Sequence, residues 1–282
     1  MNPSRAWLLA IRPKTLTGAL APVCVALSAA WADGIFVWQP ALLCALFALL
    51  MQIDANLAND YIDFRNGTDG EERLGPERAC ASGWITPRAM RRGIVIVTLL
   101  SCLVGLPLIY WGGWSMVIVG AVCVAGCFLY TTTFSRIALG DVLVVLFFGI
   151  VPICITYYLQ TATITTSVLL ASIAMGLVTD TLLIVNNYRD RDTDLRAGKR
   201  TLPNIIGAKA TEWFYLIWGI VGVALVASQT LAPLLFLPVH LINWRRMYRI
   251  HEGRDLNISL AKAAQGILLF ALLYATGMIS HI

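Results

Sequence analysis

Two polar stretches in this chain carry residues able to do chemistry, and each closes a long apolar run. The first is Asn56-Leu57-Ala58-Asn59-Asp60-Tyr61-Ile62-Asp63, and the second runs from Asn186 through Asn187, Arg189 and Asp190 to Asp194. In the first, Asn56, Asn59 or Asp60, and Asp63 recur at one and two helical turns, so on a continuing helix their oxygens share a face. In the second, Asp190 and Asp194 are four residues apart, with Asn186 or Asn187 a turn earlier. Oxygen-only ligand sets suit a hard cation such as Mg2+. Carboxylates beside hydrocarbon are costly unless they are paired, metal-bound or facing water, so two such clusters call for a shared purpose. Repulsion among Asp60, Asp63, Asp190 and Asp194 would be relieved by two Mg2+ ions that keep coordination sites open for phosphates. Arg73, Arg78 and Lys199 could then balance a diphosphate. The reaction that fits is ionisation of an allylic diphosphate, with metal ions neutralising the leaving group.

The elements that must position these residues are membrane helices. Of the 282 residues, 58% are hydrophobic and 13% charged, against about a quarter charged in ordinary soluble domains. With roughly 20 residues per crossing, nine spans are expected, near 14–32, 41–59, 93–111, 114–130, 141–159, 167–187, 212–228, 231–244 and 265–280. All 21 Lys and Arg fall before the first span or after the even-numbered ones. Basic residues collect on the cytoplasmic side, so the N-terminus and both acidic stretches are expected there and the C-terminus outside. The net charge of +5 is on this reading a topology signal and not a nucleic-acid surface. The first apolar run is read as a retained span, because it lacks a convincing small-residue cleavage site.

The connections sort by what they carry. The segment from Phe64 to Arg92 is too long for a plain turn and adds Asp69, Arg73 and Arg78 to the candidates. Lys14, in Arg12-Pro13-Lys14-Thr15, is a headgroup-level anchor or a phosphate ligand, and Tyr130 is a belt aromatic or a substrate contact. Asn187 and Arg189 complete the substrate-binding candidates. Spans three and four read as packing helices. Tyr157, Tyr158 and Gln160 read as belt residues or a cavity patch. The seven cysteines include no C-x-x-C pair, so neither zinc nor a disulfide framework is indicated, and Cys123 and Cys127 read as small core residues. His240, His251 and His281 lack metal-ligand spacing and read as interfacial. The pattern N-x-Y-x-D occurs at Asn59-Tyr61-Asp63 and again at Asn186-Tyr188-Asp190, which hints at an internal parallel repeat.

At these residues the sequence resembles the UbiA superfamily of intramembrane aromatic prenyltransferases, whose paired motifs are N-x-x-x-D after the second span and D-x-x-x-D after the sixth. Asn59 with Asp63 and Asp190 with Asp194 match them. The resemblance extends through Arg12-Pro-Lys-Thr15, Arg73-Leu-Gly-Pro76, Gly140-Asp141, Phe147-Phe-Gly149, Thr156-Tyr-Tyr158 and Gln160. It departs at Thr132-Thr133-Phe134 and at Ile155, where glycines would be expected. It implies one all-α integral membrane domain over 1–282, with about nine helices around a central cavity and cytoplasmic capping loops near 60–92 and 188–211. It implies Asn59, Asp63, Asp190 and Asp194 as catalytic residues and Mg2+ ligands, with Asp60 and Asn56 as further ligands. The branch it favours transfers a polyprenyl group from the diphosphate to 1,4-dihydroxy-2-naphthoate in the cell's inner (cytoplasmic) membrane. Loss of CO2 then gives demethylmenaquinone; 4-hydroxybenzoate is the other acceptor considered. A reading from another class is a cation-coupled transporter with Asp54 and Asp180 on its path. Oligomeric state is not encoded in any pattern here.

Overall fold

A computed structural model describes residues 2–67, 74–132 and 139–280, with Tyr130, Thr131 and Thr132 described in backbone only. Among these residues every regular element is a helix: α1 Pro3–Ile11, α2 Pro13–Ala32, α3 Trp38–Arg65, α4 Pro87–Gly105, α5 Ile109–Gly112, α6 Ser115–Thr132, α7 Gly140–Val145, α8 Val151–Thr161, α9 Thr166–Arg196, α10 Leu202–Ile206, α11 Ala208–Val226, α12 Phe236–Ile250 and α13 Leu256–Ser280. Seven of the continuous helical stretches are long and apolar enough to cross a bilayer. The shorter apolar helix α6 and the 15-residue α12 lie where two further crossings are expected, which is roughly consistent with about nine, and among the described residues this is a multi-pass, all-α membrane architecture.

Several ends follow from local chemistry. Thr86 caps α4 by accepting from the Ala89 N–H, with Pro87 at the first helical position. Thr165 caps α9 in the same way through the Val168 N–H. A π-helical turn, Leu146–Ile150, joins α7 to α8; Pro152 follows within one turn and cannot supply the N–H that a regular α-helix would use there.

Two helices run past the expected boundaries. The spans expected to end at 59 and 187 continue as helix to Arg65 and Arg196, straight through both acidic stretches. At about 1.5 Å per residue, the 28 residues of α3 and the 31 of α9 span about 42 and 46 Å, against a hydrocarbon core of about 30 Å. Each is therefore longer than the lipid interior is thick, and the last turns carry the two acidic stretches. The eighth span also differs: it starts as a 3-10 turn, Ala232–Leu235, and runs to Ile250. Asn243 holds it in the bundle by donating to the Tyr215 hydroxyl and the Ser259 carbonyl.

The core forms around α9. Ala21, Ala26, Ala29 and Ala30 of α2 meet Ala171 and Ala174 of α9 and the aromatic faces of Phe270 and Tyr274 on α13. Small residues permit this close approach where lipid offers no hydrophobic drive. Where the π-helical turn crosses α9, a Cβ on Gly149 would lie 2.7 Å from the Gly176 Cα. A second cluster packs α1 and residues 79–85 onto the last turns of α3 through Ala6, Ala10, Leu57, Ala58, Ala79, Cys80 and Ile85.

Candidate active site

The bundle encloses a cavity of about 2060 Å³ with chemically distinct ends. Val23, Phe47, Met51, Met116, Phe147 and Ile155 give it an apolar wall, whereas Asn59, Asp63, Arg78, Asn186, Asn187, Arg189, Asp190, Asp194, Lys199 and Lys14 meet at its polar end. The C-terminal turns of α3 and α9 thus open on one space.

Asp63, Asp190 and Asp194 each already have a cationic partner. The Arg78 Nη2 donates to the Asp63 Oδ2 at 2.7 Å. Arg189 grips Asp190 bidentately, from Nε to Oδ1 at 2.7 Å and from Nη2 to Oδ2 at 2.6 Å, and also donates to the Asn186 Oδ1. The Lys199 Nζ lies 3.2 Å from the Asp194 Oδ1. The repulsion expected from sequence is therefore resolved within the protein by guanidinium and ammonium groups, a geometry that counting acids alone does not reveal.

Two expected ligands are placed elsewhere. Asp60 is 1% exposed and does not line the cavity. Its carboxylate accepts from the backbone N–H groups of Ala79 and Cys80, at 2.8 and 2.9 Å, so it holds the segment after α3 against that helix. Asn56 donates to the Ile11 carbonyl at 2.8 Å and the Thr15 hydroxyl at 2.9 Å, tying the α1–α2 junction to α3. Both turn away because a helix face one residue round from Asn59 and Asp63 points into protein. Asp69 and Arg73 lie outside the described residues, as does the side chain of Tyr130.

Other residues depart from their sequence reading. α4 and α6 were expected only to pack, yet Cys102, Gly105, Val117 and Gly120 line the cavity, as do Cys123 and Cys127; the run of small residues on α6 is the sequence signal for a wall. His240 is 2% exposed and its ring donates to the Tyr215 carbonyl at 3.0 Å, so it is a core residue and not an interfacial one. Tyr157 donates to Asp33 at 2.5 Å, and Gln160 clamps the Val37 backbone through both ends of its amide. These contacts close the bundle at the far end from the acids. Asp54 accepts from the Thr98 hydroxyl at 2.6 Å and Asp180 from the Trp218 indole at 3.1 Å; neither is on the cavity wall. Asn257, at the start of α13, was not anticipated. It accepts from the Arg189 Nη1 at 2.7 Å and donates to the Leu74 carbonyl at 3.0 Å, and no spacing motif marks it.

Among the described residues no three acidic, histidine or cysteine side chains converge closely enough to hold a metal alone. The donors are all hard oxygens, spread over two helices beside a large open volume. That set fits Mg2+, which takes one or two carboxylates and fills its octahedron with water and phosphate.

The chain is similar to known proteins over nearly its whole length. The model of the UbiA prenyltransferase family matches residues 19–278. A 1,4-dihydroxy-2-naphthoate octaprenyltransferase of Escherichia coli (strain K12) is 33% identical over 296 residues, covering 99% of this chain and 96% of that protein. The protein of the same name from Mycobacterium tuberculosis is 36% identical over 229 residues, covering 80% and 77%. The fold matches a UbiA homolog from Archaeoglobus fulgidus bound to GPP and Mg2+, with a TM-score of 0.66, 16% identity and 98% and 99% of the two chains covered. With the family matching nearly the whole chain and the paired motifs opening on one cavity, the protein belongs to the UbiA prenyltransferase family.

Proposed function

We propose that this chain transfers a polyprenyl group from its allylic diphosphate to 1,4-dihydroxy-2-naphthoate. The observation that carries the reading is a single cavity with an oxygen-and-cation pole at one end and an apolar wall along the rest. A diphosphate suits the first and a polyprenyl chain the second. The acceptor is favoured by the two relatives of that name.

Asn59, Asp63, Asp190 and Asp194 would hold Mg2+. When bound, the metal supplies the Lewis acidity that neutralises charge developing on the diphosphate. Arg78 and Lys199 would turn from their carboxylates toward phosphate oxygens, which they can pair equally well, while Arg189 stays paired with Asp190. Heterolysis of the C1–O bond leaves an allylic cation among apolar side chains that exclude water. Phe147 and Phe148 line the cavity, and aromatic faces at that depth stabilise positive charge. The ring carbon bearing the carboxylate attacks C1; CO2 then departs, its bonding pair restoring the aromatic ring. The arrangement of basic loops supports a site facing the cytoplasm. The 60–92 and 188–211 segments would cap it.

A cation-coupled transporter would place its ligands near the midplane, and Asp54 and Asp180 sit behind the wall of this cavity. The test uses purified protein in lipid vesicles with octaprenyl diphosphate, Mg2+ and either 1,4-dihydroxy-2-naphthoate or 4-hydroxybenzoate. A prenylated lipid product and CO2 are expected from the naphthoate alone. Product only from hydroxybenzoate would overturn the acceptor assignment, and no product from either would overturn the reaction.

A further inference from the structure

The connection between α12 and α13 reaches the polar end of the cavity at Arg254 and Asn257, far in sequence from both acidic stretches. Arg189 is 5% exposed and spends two of its three nitrogens on Asp190. Its remaining terminal nitrogen, Nη1, donates to the Asn257 Oδ1 at 2.7 Å. The other end of the same carboxamide donates to the backbone carbonyl of Leu74, at 3.0 Å, on the segment that follows α3. One side chain therefore joins three elements: the arginine of α9, the first turn of α13 and the segment that carries Arg78, partner of Asp63. A planar guanidinium held at both ends has one orientation, and that orientation decides which lone pairs of Asp190 stay turned toward the cavity.

We propose that Asn257 is a positioning residue for the diphosphate and metal end of the site, fixing Arg189 against Asp190 while tethering the Leu74–Arg78 segment over it. The inference rests on the prenyltransferase reading and deepens it. It also separates the two halves of the cavity. Asn257 acts on the end that takes the diphosphate and has no bearing on the aromatic acceptor.

The test compares Asn257→Ala and Asn257→Asp with the unmodified protein in vesicles. Losing a hydrogen bond to a charged group costs about tenfold in binding. For Asn257→Ala the KM for octaprenyl diphosphate and the apparent constant for Mg2+ should each rise about tenfold, while the acceptor KM and kcat stay within about threefold. Asn257→Asp keeps an acceptor for Arg189 and sets an oxygen against the Leu74 carbonyl, so the segment is released without orphaning the arginine. About a threefold rise is expected there. A second readout needs no turnover: the rise in thermal unfolding midpoint on adding Mg2+ and octaprenyl diphosphate without acceptor should shrink in both variants. Equal rises in donor and acceptor KM, or an unchanged ligand-induced midpoint shift, would overturn the proposal. If the unmodified protein transfers to no acceptor but binds Mg2+ and diphosphate, and Asn257→Ala weakens that binding, the reaction assignment fails and the positioning role stands.

Discussion

Asp60 and Asp63 are three residues apart on α3, both acidic, and the structure gives them different work. Asp60→Asn is the substitution that exposes the difference. The Asp60 carboxylate receives two backbone N–H groups, from Ala79 and Cys80, at 2.8 and 2.9 Å in a site 1% exposed. Each such bond to a charged acceptor contributes about 1.5–3 kcal/mol. Asparagine keeps one oxygen and turns an NH2 group toward the second N–H, so one bond is lost outright and the other loses its charge. The segment from residue 74 to the start of α4 should therefore be released by about 2–4 kcal/mol, raising its open population roughly 30- to 1000-fold. Ala79, Cys80 and Ile85 would leave the cluster they share with Leu57 and Ala58. Hydrogen exchange at the Ala79 and Cys80 amides, followed by mass spectrometry, measures this directly, and trypsin cleavage after Arg78 gives an independent reading. Asp63→Asn, whose carboxylate pairs with Arg78 from the cavity side, should instead raise the Mg2+ requirement and leave those amides protected. The reasoning is refuted if Asp60→Asn leaves their exchange unchanged while shifting the Mg2+ requirement as Asp63→Asn does.

Two further outcomes are expected. Gly149→Ala forces a methyl group onto the backbone of Gly176, where nothing can rotate aside; overpacking of this kind costs about 1–3 kcal/mol, so the thermal midpoint in detergent should fall, and an unchanged midpoint would contradict the close crossing. Lys199→Met removes the ammonium 3.2 Å from Asp194 and should raise the diphosphate KM about fivefold with kcat nearly constant, an expectation that a kcat loss at constant KM would contradict.

Much of the architecture was legible because membrane helices announce themselves. The apolar runs and the sorting of every Lys and Arg gave the number of crossings, and the i, i+4 spacing of Asp190 and Asp194 put them on one face. What sequence could not supply was direction about the helix axis. Asn56 and Asp60 carry the same atoms as Asn59 and Asp63 and lie within one turn of them. Only the packing of α1 and residues 79–85 against α3 decides which pair meets the cavity. Partners distant in sequence were equally hidden. Nothing near Arg189 points to Asn257, and the lone histidine of α12 is buried because a carbonyl of α11 happens to face it. The wall formed by α4 and α6 was overlooked for a different reason: a cavity lined by glycine, alanine and cysteine reads in one dimension like a helix packed against another.

The one-to-one matching of Asp63, Asp190 and Asp194 with Arg78, Arg189 and Lys199 also has a thermodynamic reading. A bare metal ion arriving at this site must strip a carboxylate from its cation and leave that cation stranded at the edge of the membrane. A bare diphosphate faces the mirror-image penalty. Arriving as one complex, they would offer a new partner to both members of the Asp63–Arg78 and Asp194–Lys199 pairs, and the exchange would be close to neutral. Donor and Mg2+ should therefore bind with strong positive cooperativity, each tightening the other by the same factor. On the proposed reading, the ion pairs of the resting protein would act as a gate that admits the two only in company.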